Sequence, residues 1–461
     1  GIVMLTLSAS LPQLRPPKCP ETDRCPSPSP SRLAPLYFSM ALLIAGAAGI
    51  RPCSLLFGVD QFDRSTRHGR QSLNSFYNWY YFSSCLALFF SMTFLVYIQN
   101  SISWPIGFGI PAALMLLAVI LFFLGTPLYT HVVPQGSIFS GIAQVFVAAF
   151  RKRRLRLSST ALLHNPPPRH GLITKLPLTP KFRFLNNAAI ELPGEVRIED
   201  GSCARPWRLC SVQQIEEVKC LISITPIWIS GVLFFTVLSQ QWTFIVLQSM
   251  KMDRHIGPRF AIPPAAVSPF NLLALSIFLP IYDRILVPFL RRVTKLEQGI
   301  TLLQRQGTGL LLSVLSMVLA GLVEWRRRER KTMMSVLWLS PQLTVMGVSE
   351  AFNYVGQIEF YNREFPEHLL TMGGSLVFLC LAGASYLSLF LVSVVRKVTG
   401  GEGRRSWLED DLDQGRLDYY YYLIAVLGML NFLYFLVCAK FYQYKGAMAE
   451  GEEDGEEGGE A

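Results

Sequence analysis

The chain has 461 residues, of which 51% are hydrophobic, 12% aromatic and 16% charged. Soluble domains carry about 25% charged residues, so this composition argues against a disordered chain, a coiled coil and a small disulfide scaffold. The formal net charge is +10 but uneven, and the apolar residues cluster in lengths that can cross a bilayer. The sequence therefore predicts an all-α, multi-pass membrane protein.

The first segment of the chain begins at Gly1, and residues 2–11 are apolar but too few to span a membrane. They have neither a basic start nor a small-residue cleavage site, so they are not a signal peptide. We expect them to be the end of a helix whose beginning is missing. The Pro-rich stretch that follows contains Cys19 and Cys25, which could form a disulfide or remain two free thiols.

Nine further segments reach the roughly 20 apolar residues that a helix needs to cross a hydrocarbon core of about 30 Å. They are residues 36–57, 78–99, 105–127, 221–247, 261–282, 302–323, 335–358, 372–395 and 419–441. Three precede a long basic segment and six follow it, which suggests a transporter built of two related helix bundles. We expect an incomplete N-terminal bundle in residues 1–150 and a six-helix C-terminal bundle in residues 220–445.

The segment between these bundles, residues 151–219, carries 13 Lys and Arg against 6 Asp and Glu. Because basic loops of membrane proteins stay on the cytoplasmic side, we expect a cytosolic linker rather than a folded domain or a nucleic-acid interface. Residues 446–461 carry 7 acidic residues and are expected to form a disordered, solvated tail. No nucleotide-binding, hydrolase or metal-ligand motif occurs, so we expect neither an enzyme nor a cofactor or metal site.

Charged residues inside apolar spans are functional candidates, because burying a charge in hydrocarbon is costly. Arg51 and Glu350 lie well inside spans of opposite bundles. Arg51 would attract a carboxylate, nitrate or sulfate, and Glu350 an ammonium group or a proton; alternatively they are a structural pair or a snorkelling side chain. Gln241 and Asn353 could line a wet cavity or bond a neighbouring helix. Arg305, near a span end, is interpreted as an interfacial anchor.

Five motifs in a fixed order resemble the plant nitrate/peptide transporter family, a branch of the proton-dependent oligopeptide transporters in the major facilitator superfamily. The motifs are residues 57–63 (FGVDQFD), 78–83 (NWYYFS), 107–112 (GFGIPA), 350–361 (EAFNYVGQIEFY) with 365–367 (FPE), and 415–418 (GRLD) with 431–432 (NF). The resemblance implies twelve helices in the intact fold. This chain would then contain the end of the third helix, helices four to six and the six-helix second bundle, and would be N-terminally truncated.

The resemblance also implies roles for individual residues. Arg51 falls where many members have a membrane lysine, whereas the family's ExxER proton-coupling motif is absent. Asn271 and Glu350 match substrate contacts of peptide-carrying relatives. Leu238 stands where one nitrate carrier has a pocket histidine. Four charged residues fall in gating or structural loop motifs of the family: Asp60, Asp63, Asp283 and Arg284.

The function expected from the residues and the resemblance is proton-coupled transport of nitrate or another small organic anion, glucosinolate-like or hormone-like, by alternating access. The partners would be the anion, protons and the lipid bilayer, with the plasma membrane as the expected location. Two alternatives stay open. The chain could be a non-transporting, truncated membrane protein or gene fragment, or a carrier of di- and tripeptides.

Overall fold

The structure is a computed structural model. It describes residues 1–14, 29–59, 61–62, 72, 76, 80, 83–84, 86–130, 138–155, 162–166, 178–192, 194–196, 203, 205–257, 260–295, 299–330, 333–365, 370–401, 405–409 and 411–444. Almost all of the regular structure in these residues is α-helical, and the one small hairpin pairs β1 (His255–Ile256) with β2 (Phe260–Ala261). The expected all-α membrane architecture is confirmed.

The N-terminal part of the described residues contains four long or apolar helices. They are α1 (Ile2–Ser10), α2 (Pro30–Val59), α3 (Leu86–Ser101) and α4 (Trp104–Leu124). Helix α1 contacts both α2 and α4, and most of the apolar side chains of α4 are exposed. Exposed apolar surface on helices of this length is what a bilayer covers.

The C-terminal bundle contains the largest hydrophobic core of the described residues. Its helices are α6 (Val212–Met250), α7 (Pro269–Thr294), α8 (Leu302–Glu329), α9 (Ser340–Glu364), α10 (Leu370–Thr399) and α11 (Leu417–Phe441), which follow α5 (Ile138–Arg151) along the chain. Helix α8 is central, because it packs against both α9 and α11. Capping boxes at Ser211 and Thr301 fix the first turns of α6 and α8 by satisfying backbone N–H groups.

Seven helices in the described residues are long and apolar enough to cross a membrane. The segment predicted at 335–358 corresponds to α9, whose 25 residues are long enough to span but include several buried polar side chains. The segment predicted at 261–282 is displaced, because residues 260–268 form the hairpin strand and a short 3-10 turn before α7 begins at Pro269. The segment predicted at 78–99 is described mainly as α3.

Residues 151–219 were expected to form a linker without a fold of its own, but their described part packs around a small separate core. Leu185, Ala188 and Ala189 are buried against α5 and the start of α6. The Lys152 ammonium donates to the Ile190 carbonyl at 2.6 Å and pairs with Glu195 at 2.7 Å, both side chains being buried. These contacts join positions about forty residues apart, so spacing along the chain does not reveal them.

Candidate functional site

The clearest polar site inside the C-terminal bundle joins α7 to α9. The Asn271 side-chain amide donates to Glu350 Oε1 at 2.5 Å, and both side chains are buried. Glu350 has no cationic partner among the described residues, and the Asn271 Oδ1 atom has no hydrogen-bond partner among them either. The site therefore offers a buried carboxylate and a spare carbonyl oxygen, which suit a proton or a ligand N–H group.

A glycine allows the two helices to approach closely enough for this bond. A Cβ atom at Gly347 would lie 2.8 Å from Asn271 Oδ1 and 2.9 Å from the Ala274 Cβ atom, and would also overlap the Asn271 carbonyl oxygen. One turn further along, Phe352 packs against Phe278 and Tyr282 of α7, with ring centroids 5.3 Å apart in both pairs. The α7–α9 interface thus holds Asn271 against Glu350, and no cationic side chain of the described residues pairs with Glu350.

This interface faces the N-terminal helices. Met92 of α3 packs against a small apolar cluster formed by Leu272, Leu275 and Ala351, the last of these being the neighbour of Glu350. Helix α2 contacts α10 on another side of the bundle. The Asn271–Glu350 pair therefore lies next to the surface on which the two halves of the chain meet.

Arg51 lies on an exposed face of α2, and no ion pair joins its guanidinium to another described residue. Its backbone carbonyl accepts a hydrogen bond from Ser54 at 3.5 Å. The described residues contain no contact between Arg51 and Glu350. The two charges expected on opposite walls of one cavity are thus placed in opposite bundles, and their common cavity stays a prediction.

The three residues expected to line the cavity are buried within the C-terminal bundle. Leu238 belongs to its hydrophobic core. The Gln241 carbonyl oxygen accepts from Ser316 at 3.2 Å, and Asn353 donates to the Gln306 carbonyl at 3.1 Å. Of the two roles considered from sequence, these contacts favour bonding between helices for Gln241 and Asn353.

Comparison with known proteins decides the family. The sequence profile of the POT family (PTR2) matches residues 1–408. The Arabidopsis thaliana protein NRT1/PTR FAMILY 2.13 is 49% identical over 96% of this chain and 74% of its own length, and NRT1/PTR FAMILY 2.12 of the same plant is 48% identical over 96% and 78%. The chain belongs to the POT family.

Solved structures agree with this membership at the level of the fold. A crystal structure of an auto-inhibited POT family peptide transporter superposes with a TM-score of 0.64 at 19% identity, covering 89% of this chain and 78% of that one. POT proteins are membrane transporters, not enzymes, and they move small substrates together with protons. The chain is therefore a multi-pass membrane protein of a transporter family, and its membrane of residence and its substrate are separate questions.

The POT loop residues Asp60 and Asp63, and the pair Cys19 and Cys25, lie outside the described residues. Asp283 and Arg284 are described, but they are not in a loop. The helix continues past them as a wide π-type turn at Tyr282–Leu286, and their side chains are exposed and 4.0 Å apart. An exposed pair at this distance contributes little to stability, so any role in gating would depend on contacts in another state.

One ion pair of this POT protein, in which the arginine is buried, was missed by reasoning from the sequence. Arg305 is not an interfacial anchor, because its guanidinium is buried, pairs with Glu359 at 2.8 Å and donates to the Ala351 carbonyl at 3.1 Å. It also stacks 4.5 Å from the ring centroid of Tyr282. Arg305 thereby connects α7, α8 and α9 close to Glu350. The signal available from sequence was Glu359, which follows directly after the predicted segment 335–358.

A second buried network lies at the other end of α8. The Glu324 carboxylate is fully buried, accepts from Gln248 at 2.8 Å and pairs with Arg327 at 2.8 Å. Arg327 also binds Asp413 at 2.8 Å, in the loop before α11. The segment predicted at 302–323 ends one residue before Glu324, whereas α8 continues to Glu329. The described residues contain no group of three or more His, Cys, Asp and Glu that could hold a metal ion.

Proposed function

We propose that the protein is a proton-coupled carrier of a small anion, nitrate or an organic anion, that works by alternating access between its two bundles. The observation that carries this proposal is Glu350, a buried carboxylate held by Asn271 with no cationic partner among the described residues. Burying an unpaired carboxylate costs several kcal/mol, so a proton or an incoming cation is needed to neutralise it. That requirement suits a residue that binds and releases the transported proton.

Coupling follows if the proton and the substrate stabilise the same conformation. A proton on Glu350 removes the cost of burying the carboxylate when the bundles close over it. The substrate anion would then supply the second half of the stabilisation at Arg51, in the opposite bundle. A ligand shifts such an equilibrium only through its differential affinity for the two states, so neither partner alone would complete the cycle.

The preference for an anion depends on Arg51. It is a cation within the apolar helix α2, and it forms no ion pair with another described residue. A charge in that setting is costly unless a counter-ion reaches it, which supports a role in holding an anionic substrate. The similar Arabidopsis thaliana proteins are named as NRT1/PTR family members, whereas the similar solved structure is named as a POT family peptide transporter. We propose the plasma membrane as the location.

A peptide carrier is the second candidate, favoured by the Asn271–Glu350 pair itself. Glu350 could meet a peptide's ammonium group, and the free Asn271 Oδ1 atom could accept a hydrogen bond from it. The two candidates differ in what Arg51 contributes. An anionic substrate would be held by Arg51, whereas a dipeptide would be held by Glu350 as well. Loss of Arg51 should therefore abolish anion uptake but only weaken dipeptide uptake.

The deciding experiment is a substrate panel in oocytes that express the protein. Labelled nitrate, a labelled organic anion and a labelled dipeptide are presented at pH 5.5 and pH 7.4 to the wild type, Arg51→Ala and Lys397→Ala. Lys397 is an exposed cation on α10 and is the matched control. We expect anion uptake that is greater at pH 5.5, lost in Arg51→Ala and retained in Lys397→Ala.

Three other results would each overturn the proposal. Uptake of the dipeptide alone would establish the second candidate. Anion uptake that is equal at the two pH values would contradict proton coupling. If no member of the panel accumulates although the protein is present at the cell surface, the non-transporting alternative is supported.

A further inference from the structure

A cavity of about 420 Å³ lies outside the bundle interface, between α6, α11 and the segment that precedes α6. Its walls are apolar and include Ile222 and Ile227 from α6 and Val437 and Phe441 from α11. The charged residue among those that line it is Lys181. No ion pair joins Lys181 to another described residue, so its ammonium is available to an incoming anion.

The cavity lies at the end of a helix that is long and apolar enough to cross a membrane. Phe441 is the last residue of α11, and Tyr442, which follows it, also lines the cavity. Val437 and Phe441 are 58% and 75% exposed, so this apolar wall is not covered by other parts of the protein. Lys181 belongs to the basic segment expected in the cytosol. An apolar cleft between spanning helices with a cation at its cytoplasmic rim matches the requirements of an acidic phospholipid.

We propose that this cavity binds one anionic phospholipid. Its acyl chain lies against α6 and α11, and its phosphate group lies at Lys181. No acidic side chain lines the cavity to repel the phosphate. The Tyr442 hydroxyl at the rim already donates to Glu364 at 2.8 Å, which leaves Lys181 as the headgroup contact. A soluble anion would leave the apolar walls without an occupant, which is why the proposal commits to a lipid.

The neighbouring helix α5 supports a membrane-facing position for this part of the chain. Phe139, Phe146 and Phe150 are 75%, 43% and 66% exposed and fall on one face at helical spacing. The guanidinium of Arg153 lies 4.2 Å from the ring centroid of Phe150. Aromatic side chains with adjacent arginines are typical of helices that lie in an anionic membrane interface. The bound lipid and α5 would together hold the segment before α6 against the cytoplasmic leaflet.

The proposal is tested by lipid titration of the purified full-length chain, with bound lipids counted by native mass spectrometry. The probes are dioleoylphosphatidylglycerol, dioleoylphosphatidylcholine and soluble glycerol 3-phosphate. The variants are Lys181→Ala, which removes the headgroup contact, and Val437→Trp, which fills the cavity from its lipid-exposed side. Lys397→Ala, an exposed cation on another helix, is the matched control.

We expect phosphatidylglycerol to bind more tightly than phosphatidylcholine, and Lys181→Ala to weaken it about fivefold, the effect of one cation near a membrane surface. Val437→Trp should reduce binding of both lipids, and Lys397→Ala should change neither. Equal binding of the two lipids to wild type and Lys181→Ala would overturn the proposal. Binding of glycerol 3-phosphate as tight as that of phosphatidylglycerol would also overturn it, by identifying a soluble-anion site. Thermal unfolding of each variant checks that it is folded.

Discussion

The close approach of α7 and α9 gives the sharpest test of how the candidate site is built. Replacing Gly347 by alanine puts a Cβ atom 2.8 Å from Asn271 Oδ1 and 2.9 Å from the Ala274 Cβ atom, and against the Asn271 backbone carbonyl. These distances are shorter than van der Waals contact, and backbone cannot rotate away as a flexible side chain can. The helices must therefore separate, and the Asn271–Glu350 bond must lengthen.

The magnitude follows from the cost of overpacking a well-packed interface, about 1–3 kcal/mol. A matched control is Gly374→Ala in α10, where a new Cβ meets nothing within 4 Å. Alanine at that position gains the ordinary helix propensity over glycine, up to about 1 kcal/mol. We therefore expect Gly347→Ala to lower the unfolding temperature and Gly374→Ala to leave it unchanged or raise it.

The assay combines thermal unfolding of the purified protein in detergent with uptake in oocytes at equal surface expression. Gly347→Ala should lose uptake more than Gly374→Ala, because it displaces the candidate proton site directly. Equal unfolding temperatures and equal uptake in the two variants would refute the reasoning, since the α7–α9 contact would then not be as close as the structure places it.

Three further predictions concern contacts away from this glycine. Glu359→Gln should destabilise the protein by about 2 kcal/mol, because it leaves the buried Arg305 guanidinium without its carboxylate. Chemical or thermal unfolding measures this, with the exposed Glu329→Gln as the control. Equal stability of the two variants would contradict a stabilising role for the Arg305–Glu359 pair. The hydrogen bond from Lys251 lowers the pKa of Asp411 from its usual 3.8, and Asp413, although burial opposes this, has its pKa lowered by Arg327 and Lys251. The same Asp411 bond raises the pKa of Lys251 above 10.5, so this contact contributes its full stability between about pH 4 and about pH 10.5. Lys251→Ala should therefore unfold at a lower temperature than wild type at pH 7, and the difference should shrink as the pH falls below 3.8. Burial raises the pKa of the Cys210 thiol to about 12, so a maleimide at pH 8 should label Cys210 only after unfolding. Rapid labelling of Cys210 in the native protein would contradict the packing around this thiol.

The transmembrane helices could be predicted from the sequence because placing polar groups in hydrocarbon is costly. Each spanning segment must therefore be apolar by itself, whatever it packs against. The predicted boundaries are wrong mainly where prolines intervene. Pro263 precedes a short 3-10 turn that Pro264 begins, so α7 starts at Pro269, later than expected, and continues through Asp283. Hydropathy alone does not identify α9 as a spanning helix, because its polar residues lower its hydropathy although the helix is long enough to span.

The candidate site was only partly predictable. Glu350 was identified from its charge inside an apolar segment and Asn271 from the family resemblance, but their hydrogen bond joins residues 79 positions apart on two different helices. Arg305 was misinterpreted for the same reason, because its partner Glu359 is 54 positions away. Glu324 lies just outside the predicted segment 302–323, and the side chains that bind it, Gln248 and Arg327, could not be identified without the bundle. Which distant residues pair can be seen only in the folded structure. The sequence shows only that a charged residue inside an apolar segment is costly to bury and therefore needs a partner.

The central claim is that Glu350 carries the transported proton, and proton flux measures this directly. Proteoliposomes that contain a pH-sensitive dye and the wild type, Glu350→Gln or the exposed control Glu329→Gln are given an inward gradient of the anion identified by the uptake panel. The account predicts that the anion drives proton entry in the wild type and in Glu329→Gln, and that Glu350→Gln binds the anion but moves no protons. Anion-driven proton entry by Glu350→Gln at the wild-type rate would contradict it.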